Sequence, residues 1–140
     1  MVFDSLITRF RAADRSTRLE TLLEYSKKLP DLPPALQAAS DREAHRVSEC
    51  QTPVFLWIGV EQGQVAIHAD VPRESPTVRG FVSLLATRLN GKSPGEVAEV
   101  PDDLLDRLAL GETLGMMRTQ GLTAILGRIK RGVAAATQGG

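Results

Sequence analysis

The residue with the most chemistry to offer is Cys50, the only cysteine of the chain. A thiolate attacks electrophilic sulfur and peroxide and binds soft metals, so its surroundings decide which of these it does. The polar segment 40–48 precedes it and the dense apolar run 54–60 follows it. That pattern puts Cys50 in a loop leading into a strand, where a rigid scaffold presents reactive side chains. A free cysteine is nonetheless most often a buried, inert small hydrophobe. The neighbours Glu49, Gln51, Thr52 and Pro53 suit an accessible loop better than a packed strand. Glu49 opposes the thiolate by like charge, unless Arg46, Arg79 or Arg118 comes near in space.

A single thiol excludes an internal disulfide and a Cys-x-x-Cys redox pair. Structural zinc needs four good ligands, and His45 and His68 are the only other soft donors, so no metal or cofactor is expected in the chain itself. Both histidines read as ordinary, one in a polar loop and one on the outward side of a strand. No G-x-x-x-x-G-K-S/T, G-x-G-x-x-G or H-E-x-x-H string is present. Lys plus Arg and Asp plus Glu both number 17, so no single-sign field exists to draw nucleic acid or an anionic membrane. One Trp, one Tyr and four Phe are too few for a base-stacking platform. The run 54–60 is too short to span a bilayer, and Asp4 sits where a signal peptide would be basic. The expectation is a soluble, cytoplasmic protein with one domain over 1–140.

The elements that must hold Cys50 follow from periodicity. Leu6, Ile7 and Phe10 mark a short amphipathic turn or helix. A clearer helix follows, capped by Asp14 or Thr17, with Leu19, Leu22, Leu23 and Ser26 on one face, and it stops at Pro30. Pro30, Pro33 and Pro34 force an irregular connection, and 35–39 can form one helical turn. The β-branched and aromatic run 54–60 and the alternating run 64–69, joined by Glu61-Gln62-Gly63, form a hairpin. Residues 45–47 are assigned a third short strand, so that a small antiparallel sheet carries Cys50 on its rim.

The period then changes to that of a helix. Val78, Phe81, Val82, Leu85 and Leu89 line the main core helix, ended by Asn90-Gly91. Ser93-Pro94-Gly95-Glu96 has capping-box spacing and opens a short helix. Pro101 starts another, with Asp102 and Asp103 in its first turn, Leu104, Leu105 and Leu108 inward, and Gly111 closing it. Leu122, Ile125, Leu126, Ile129 and Val133 mark a long terminal helix, with Arg128, Lys130 and Arg131 on its later turns and a tail fraying from about 137 to 140. Helices, a small sheet, then more helices make an α+β fold.

The sequence 50–56, Cys-Gln-Thr-Pro-Val-Phe-Leu, resembles the Gly-Cys-Gln-Ser-x-Val-Trp segment of the SufE family. Three further segments, in order, strengthen the likeness. Residues 19–32 are similar to that family's first long helix and its Leu-Pro ending. Residues 70–80 end in Val78-Arg79-Gly80, like its Val-Lys/Arg-Gly helix start. Arg118-Thr119-Gln120-Gly121-Leu122 resembles its Arg-x-Asn/Gln-Gly-Leu motif. This chain departs from the family pattern at Glu49, at Thr113 and at Gly115-Met116-Met117, where members commonly have Gly, His and Ser-Pro.

The resemblance implies a SufE/NifU-like fold and a sulfur-acceptor role in iron–sulfur cluster assembly. A PLP-dependent cysteine desulfurase would hold a persulfide, and the Cys50 thiolate would take its outer sulfur, activating the desulfurase and passing sulfur to a cluster scaffold complex. The chain would be a carrier, not an autonomous enzyme, and a monomer or weak dimer. With no second thiol present, the persulfide could not be resolved internally to a disulfide. Arg118 is the expected electropositive partner of the thiolate or its loop, or else a solvated arginine before the last helix. Gln51 hydrogen-bonds the loop or is merely exposed, and Gln120-Gly121 belongs to the site or merely starts the helix. Glu74 and Arg79 face the desulfurase or belong to a solvated face. Three rival readings stand beside this one: a cluster scaffold, which would need about three cysteines; a thiol peroxidase or peroxide sensor; and a non-catalytic desulfurase adaptor.

Overall fold

Two strands, β1 (Phe55–Glu61) and β2 (Gln64–Asp70), pair antiparallel from Phe55 opposite Asp70 to Glu61 opposite Gln64. They are joined by the two residues Gln62 and Gly63, both at positive φ, a tighter link than the three residues expected from sequence. Around this hairpin the computed structural model, which describes residues 1–139, places eight α-helices. They are α1 (Asp4–Ala12), α2 (Arg15–Ser26), α3 (Pro34–Gln37), α4 (Pro76–Leu89), α5 (Pro94–Ala98), α6 (Leu104–Arg107), α7 (Leu110–Leu114) and α8 (Met116–Gly139). The fold is α+β.

Alternation along β1 divides the apolar side chains between two faces. Leu56 and Ile58, with Val65, Ile67 and Ala69 of β2, join the main core against α4 and α8. Phe55 and Trp57 face the other way and form a small second cluster with Leu32 and Leu36. The far edge of β2 is closed by the chain after α4. Asn90 exchanges side-chain hydrogen bonds with the Ile67 backbone, and Gly91 and Lys92 pair with Val65.

The expected third strand does not form, and the sheet has two strands. Residues 42–45 make a 3₁₀ turn, and the only backbone ladder pairing of the segment with β1 among the described residues is a bridge between Arg46 and Phe55. The reason is a competitor for the ladder. The carbonyl of Leu56 accepts from the His45 imidazole Nδ1 at 3.1 Å, while the same ring stacks on Trp57.

α2 begins at Asp14, whose carboxylate accepts from the Thr17 N–H at 2.8 Å, so Asp14 rather than Thr17 is the cap. Its buried face is Arg18, Leu22 and Ser26, whereas Leu23 lies on the surface. It crosses α4 so closely that a Cβ on Gly80 would collide with the Leu22 carbonyl. Arg79 does not face solvent. At 6% exposure it donates to the carbonyls of Ser26, Leu29 and Val71, tying the end of α2 to the chain leaving β2.

The single helix expected after Pro101 is two. Ala109 takes a left-handed backbone with φ of 58° and separates α6 from α7, and Gly115, not Gly111, ends the second. α8 consequently starts earlier than the periodicity indicated, and Arg118, Gln120 and Gly121 lie inside its first turns. It continues through Gly139; the last residue of the tail expected to fray, Gly140, lies outside the described residues. Among the described residues no helix is long and apolar enough to cross a membrane.

Candidate functional site

Cys50 sits in a loop drawn shut at its base. Val47 and Val54 are both 0% exposed, and the Val47 N–H donates to the Val54 carbonyl at 2.9 Å. Two apolar side chains held in the core therefore fix where the loop leaves and rejoins the body. Inside it, the Cys50 N–H turns back onto the Val47 carbonyl at 3.2 Å.

The sulfur points into the protein. Cys50 is only 6% exposed, despite its polar neighbours, and packs against Gly121 of α8. It lies at the floor of a cleft of about 450 Å³ with three walls. The loop supplies Glu49, Gln51 and Thr52, the start of α4 supplies Glu74 to Val78, and α8 supplies Met117, Arg118, Gln120 and Gly121. Cys50, Gln51 and Arg118, the three site residues expected from sequence, are thus brought to one cleft.

Their environments differ. Gln51 is exposed. Arg118 is also exposed and reaches across the cleft, its Nη1 donating to Thr77 Oγ1 of α4 at 2.9 Å; among the described residues it has no carboxylate partner. Of the cations considered for the thiolate, Arg46 lies over the Phe55 ring and Arg79 is buried on its carbonyls, so only Arg118 shares the cleft. Burial pushes the Cys50 thiol above its ordinary pKa, and the Thr52 backbone N–H pulls it partly back. At rest the site holds a protonated, shielded thiol.

Glu49 beside it is held below the usual carboxylate range by its own backbone N–H, then by the Ser48 hydroxyl at 3.0 Å and the charges of Arg131 and Arg128. Its charge therefore persists at the mouth of the loop. Met117 lines the α8 end of the cleft and Met116 precedes it in the chain, each 77% exposed, well above any other large apolar side chain among the described residues. Such a pair beside a nucleophile is suited to contact with another protein.

Sequence reasoning misses one part of this site and leaves another open. Thr77, the partner of Arg118, carries no sequence signal. For Gly121 the sequence leaves open both the site and a mere helix start; it lines the cleft, and its missing side chain makes room for the Cys50 sulfur, a contact that its spacing from the cysteine does not reveal. Glu74 does line the cleft. His68 is exposed on β2 and His45 packs on Trp57, so neither shares the cleft. Among the described residues no group of three or more His, Cys, Asp or Glu side chains is arranged to hold a metal.

Comparison with known proteins places this geometry in a family. Residues 4–133 match the family model for SufE, described as an Fe-S metabolism associated domain. A protein of Mycobacterium tuberculosis named as an uncharacterized SufE-like protein is 34% identical over 127 residues, covering 90% of this chain and 87% of its own length. Another so named, from Synechocystis, is 32% identical over 117 residues, covering 83% and 70%. A solution structure of a hypothetical protein from Thermus thermophilus superposes with a TM-score of 0.83 at 36% identity, covering 98% of this chain and 96% of its own. The chain belongs to the SufE family, whose domain is associated with iron–sulfur metabolism.

Proposed function

We propose that this chain is a sulfur acceptor and carrier for a PLP-dependent cysteine desulfurase, that Cys50 is the accepting residue, and that the sulfur goes on to iron–sulfur cluster assembly in the cytoplasm. The observation that carries this reading is the position of the Cys50 sulfur. It is the one thiol of the chain, at the floor of a cleft bordered by Arg118 and the exposed Met117. The cleft is open on the side where another protein can cover it.

The chemistry balances without an added oxidant. The Cys50 thiolate attacks the outer sulfur of the desulfurase persulfide; a new S–S bond forms on Cys50, the old one breaks, and the desulfurase cysteine leaves as a thiolate. The Cys50 proton leaves to solvent or to the departing thiolate. Removal of the sulfur readies the desulfurase for another turnover, so the carrier acts as an activator and is not itself an enzyme. Arg118 contributes positive charge where the thiolate and then the persulfide anion develop, and Gln51 offers a hydrogen bond at the loop.

Docking has to move the loop, because a sulfur packed on Gly121 cannot reach a second sulfur. The same packing shields a loaded persulfide from small reductants. Burial also weighs against a peroxide sensor, which needs an accessible, low-pKa thiolate.

The test is intact-mass measurement after incubation with a cysteine desulfurase and cysteine, for the native chain and for Cys50→Ser. One added sulfur on the native chain alone, removed by reductant, is the expected result. No added sulfur and no change in desulfurase turnover, across several desulfurases, would overturn the reading.

A further inference from the structure

α8 holds the Cys50 loop at a point well away from the cleft. Arg128, seven residues beyond Gly121 on the same helix, lies across the chain just before the loop. Its Nη2 donates to the Ala44 carbonyl at 2.9 Å and its Nη1 to the Arg46 carbonyl at 3.1 Å. One guanidinium thus grips the end of the 3₁₀ turn and the residue that bridges to β1. Arg128 forms no ion pair among the described residues, so its fork is committed to these two carbonyls.

The residue after Arg46 is Val47, whose hydrogen bond to Val54 closes the loop. Three residues later comes Cys50, resting on Gly121 of the same helix that carries Arg128. One helix therefore fixes both the base of the loop and the floor beneath its sulfur. Few rotatable bonds lie between the two points, so a shift at Arg46 is passed on to Cys50. The positive charge of Arg128 is also felt by Glu49, inside the loop.

We propose that Arg128 is a positioning residue for Cys50: by clamping the Ala44 and Arg46 carbonyls to α8 it keeps the loop seated and the thiol in its cleft. Its meaning for sulfur transfer rests on the acceptor reading of Cys50, but the clamp itself is a property of the free protein. It sets how often the thiol is presented when no partner is bound.

Lys130 supplies an internal control. It is a comparable clamp on the same helix, donating from Nζ to the Val100 carbonyl and to Asp102 Oδ1, on a segment that does not touch the loop. Arg128→Met keeps the aliphatic stem and removes both donors, and Lys130→Met does the same at the control clamp.

The experiment is the alkylation rate of Cys50 by iodoacetamide in the folded full-length chain, at one pH, with thermal unfolding followed in parallel. Loss of two charge-assisted hydrogen bonds should raise the rate at least about tenfold in Arg128→Met. Lys130→Met should stay within about twofold of the native rate even where its melting temperature falls as far. Arg128→Lys, which keeps the charge but not the fork, should lie between, and it serves as the readout should Arg128→Met fail to fold. A native rate in the Arg128 variants, or an equal rise in Lys130→Met, would overturn the proposal. Because no desulfurase is involved, a failed clamp and a failed acceptor role give different results.

Discussion

The sulfur of Cys50 rests on the backbone of Gly121: a methyl group added at Gly121 would stand 3.3 Å from Sγ and 3.7 Å from the Cys50 Cα. The approach to the sulfur is closer than ordinary van der Waals contact, and the loop is the softer of the two partners. Gly121→Ala should lift the loop, raising Cys50 alkylation several-fold. The helix gains about 1 kcal/mol from replacing glycine by alanine, and crowding costs about 1–3 kcal/mol. The net lies between neutral and a loss of about 2 kcal/mol, so melting should fall by a few degrees at most while reactivity rises. Unchanged reactivity would mean that the helix moves instead of the loop.

The alkylation of Cys50 should depend on pH in a way set by its burial. The folded thiol titrates above the ordinary 9.0, so the rate should climb with a midpoint above that value in the native chain and near it in denaturant. The sign for stability follows from linkage. A folded pKa above the unfolded one gives a contribution fully present below the unfolded value and lost as pH rises through the folded value. Alkaline unfolding curves should thus be steeper for the native chain than for Cys50→Ser. A native midpoint at or below 9.0 would contradict the burial of the thiol.

At the start of α8, the exposed Met116 and Met117 and the cleft residue Arg118 should separate binding from chemistry. Serine at both methionines should weaken desulfurase docking at least about tenfold, since each buried methionine is worth about 1.5–3 kcal/mol. Alkylation of the free protein should not change. Arg118→Ala should slow persulfide formation at saturating partner by about tenfold, the scale of one charge-assisted hydrogen bond. Titration of desulfurase turnover with each variant reads both effects, and an Arg118→Ala that changed only the half-saturating concentration would remove Arg118 from the chemistry.

Arg79 should be a residue of stability. Arg79→Met leaves the carbonyls of Ser26, Leu29 and Val71 without their donor, and each stranded buried group costs about 1–3 kcal/mol. Denaturant unfolding should show a loss of at least about 3 kcal/mol, of which Arg79→Lys recovers only part. A loss below about 1 kcal/mol would show that water replaces the guanidinium.

Much of this was legible in the residues, for physical reasons. The hairpin, α4 and the Ser93–Glu96 capping box are local patterns of period and spacing, and they appear where the patterns put them. The errors are non-local. The third strand fails because the His45 side chain, stacked on Trp57, takes the Leu56 carbonyl. The break at Ala109 has no glycine to announce its left-handed backbone. Polar neighbours made Cys50 look accessible, but its burial is decided by Gly121, far away in sequence. Arg128 read only as a cation on the later turns of the last helix, and its hold on residues 44 and 46 exists only once α8 packs beside them.

The closed base of the loop has a consequence for traffic. With Val47 and Val54 as fixed posts, Cys50 hangs on a tether with two residues between it and one post and three between it and the other. Its Cα can stray no more than about 11 Å from that of Val47. Such a tether lets the sulfur step out of its cleft but not swing between distant stations. If Cys50 carries sulfur as proposed, supplier and recipient must both come to the same small sphere, on the same face of the molecule. On that reading the two should compete for one seat, so that added recipient displaces the supplier in a binding assay and delivery follows the supplier's departure.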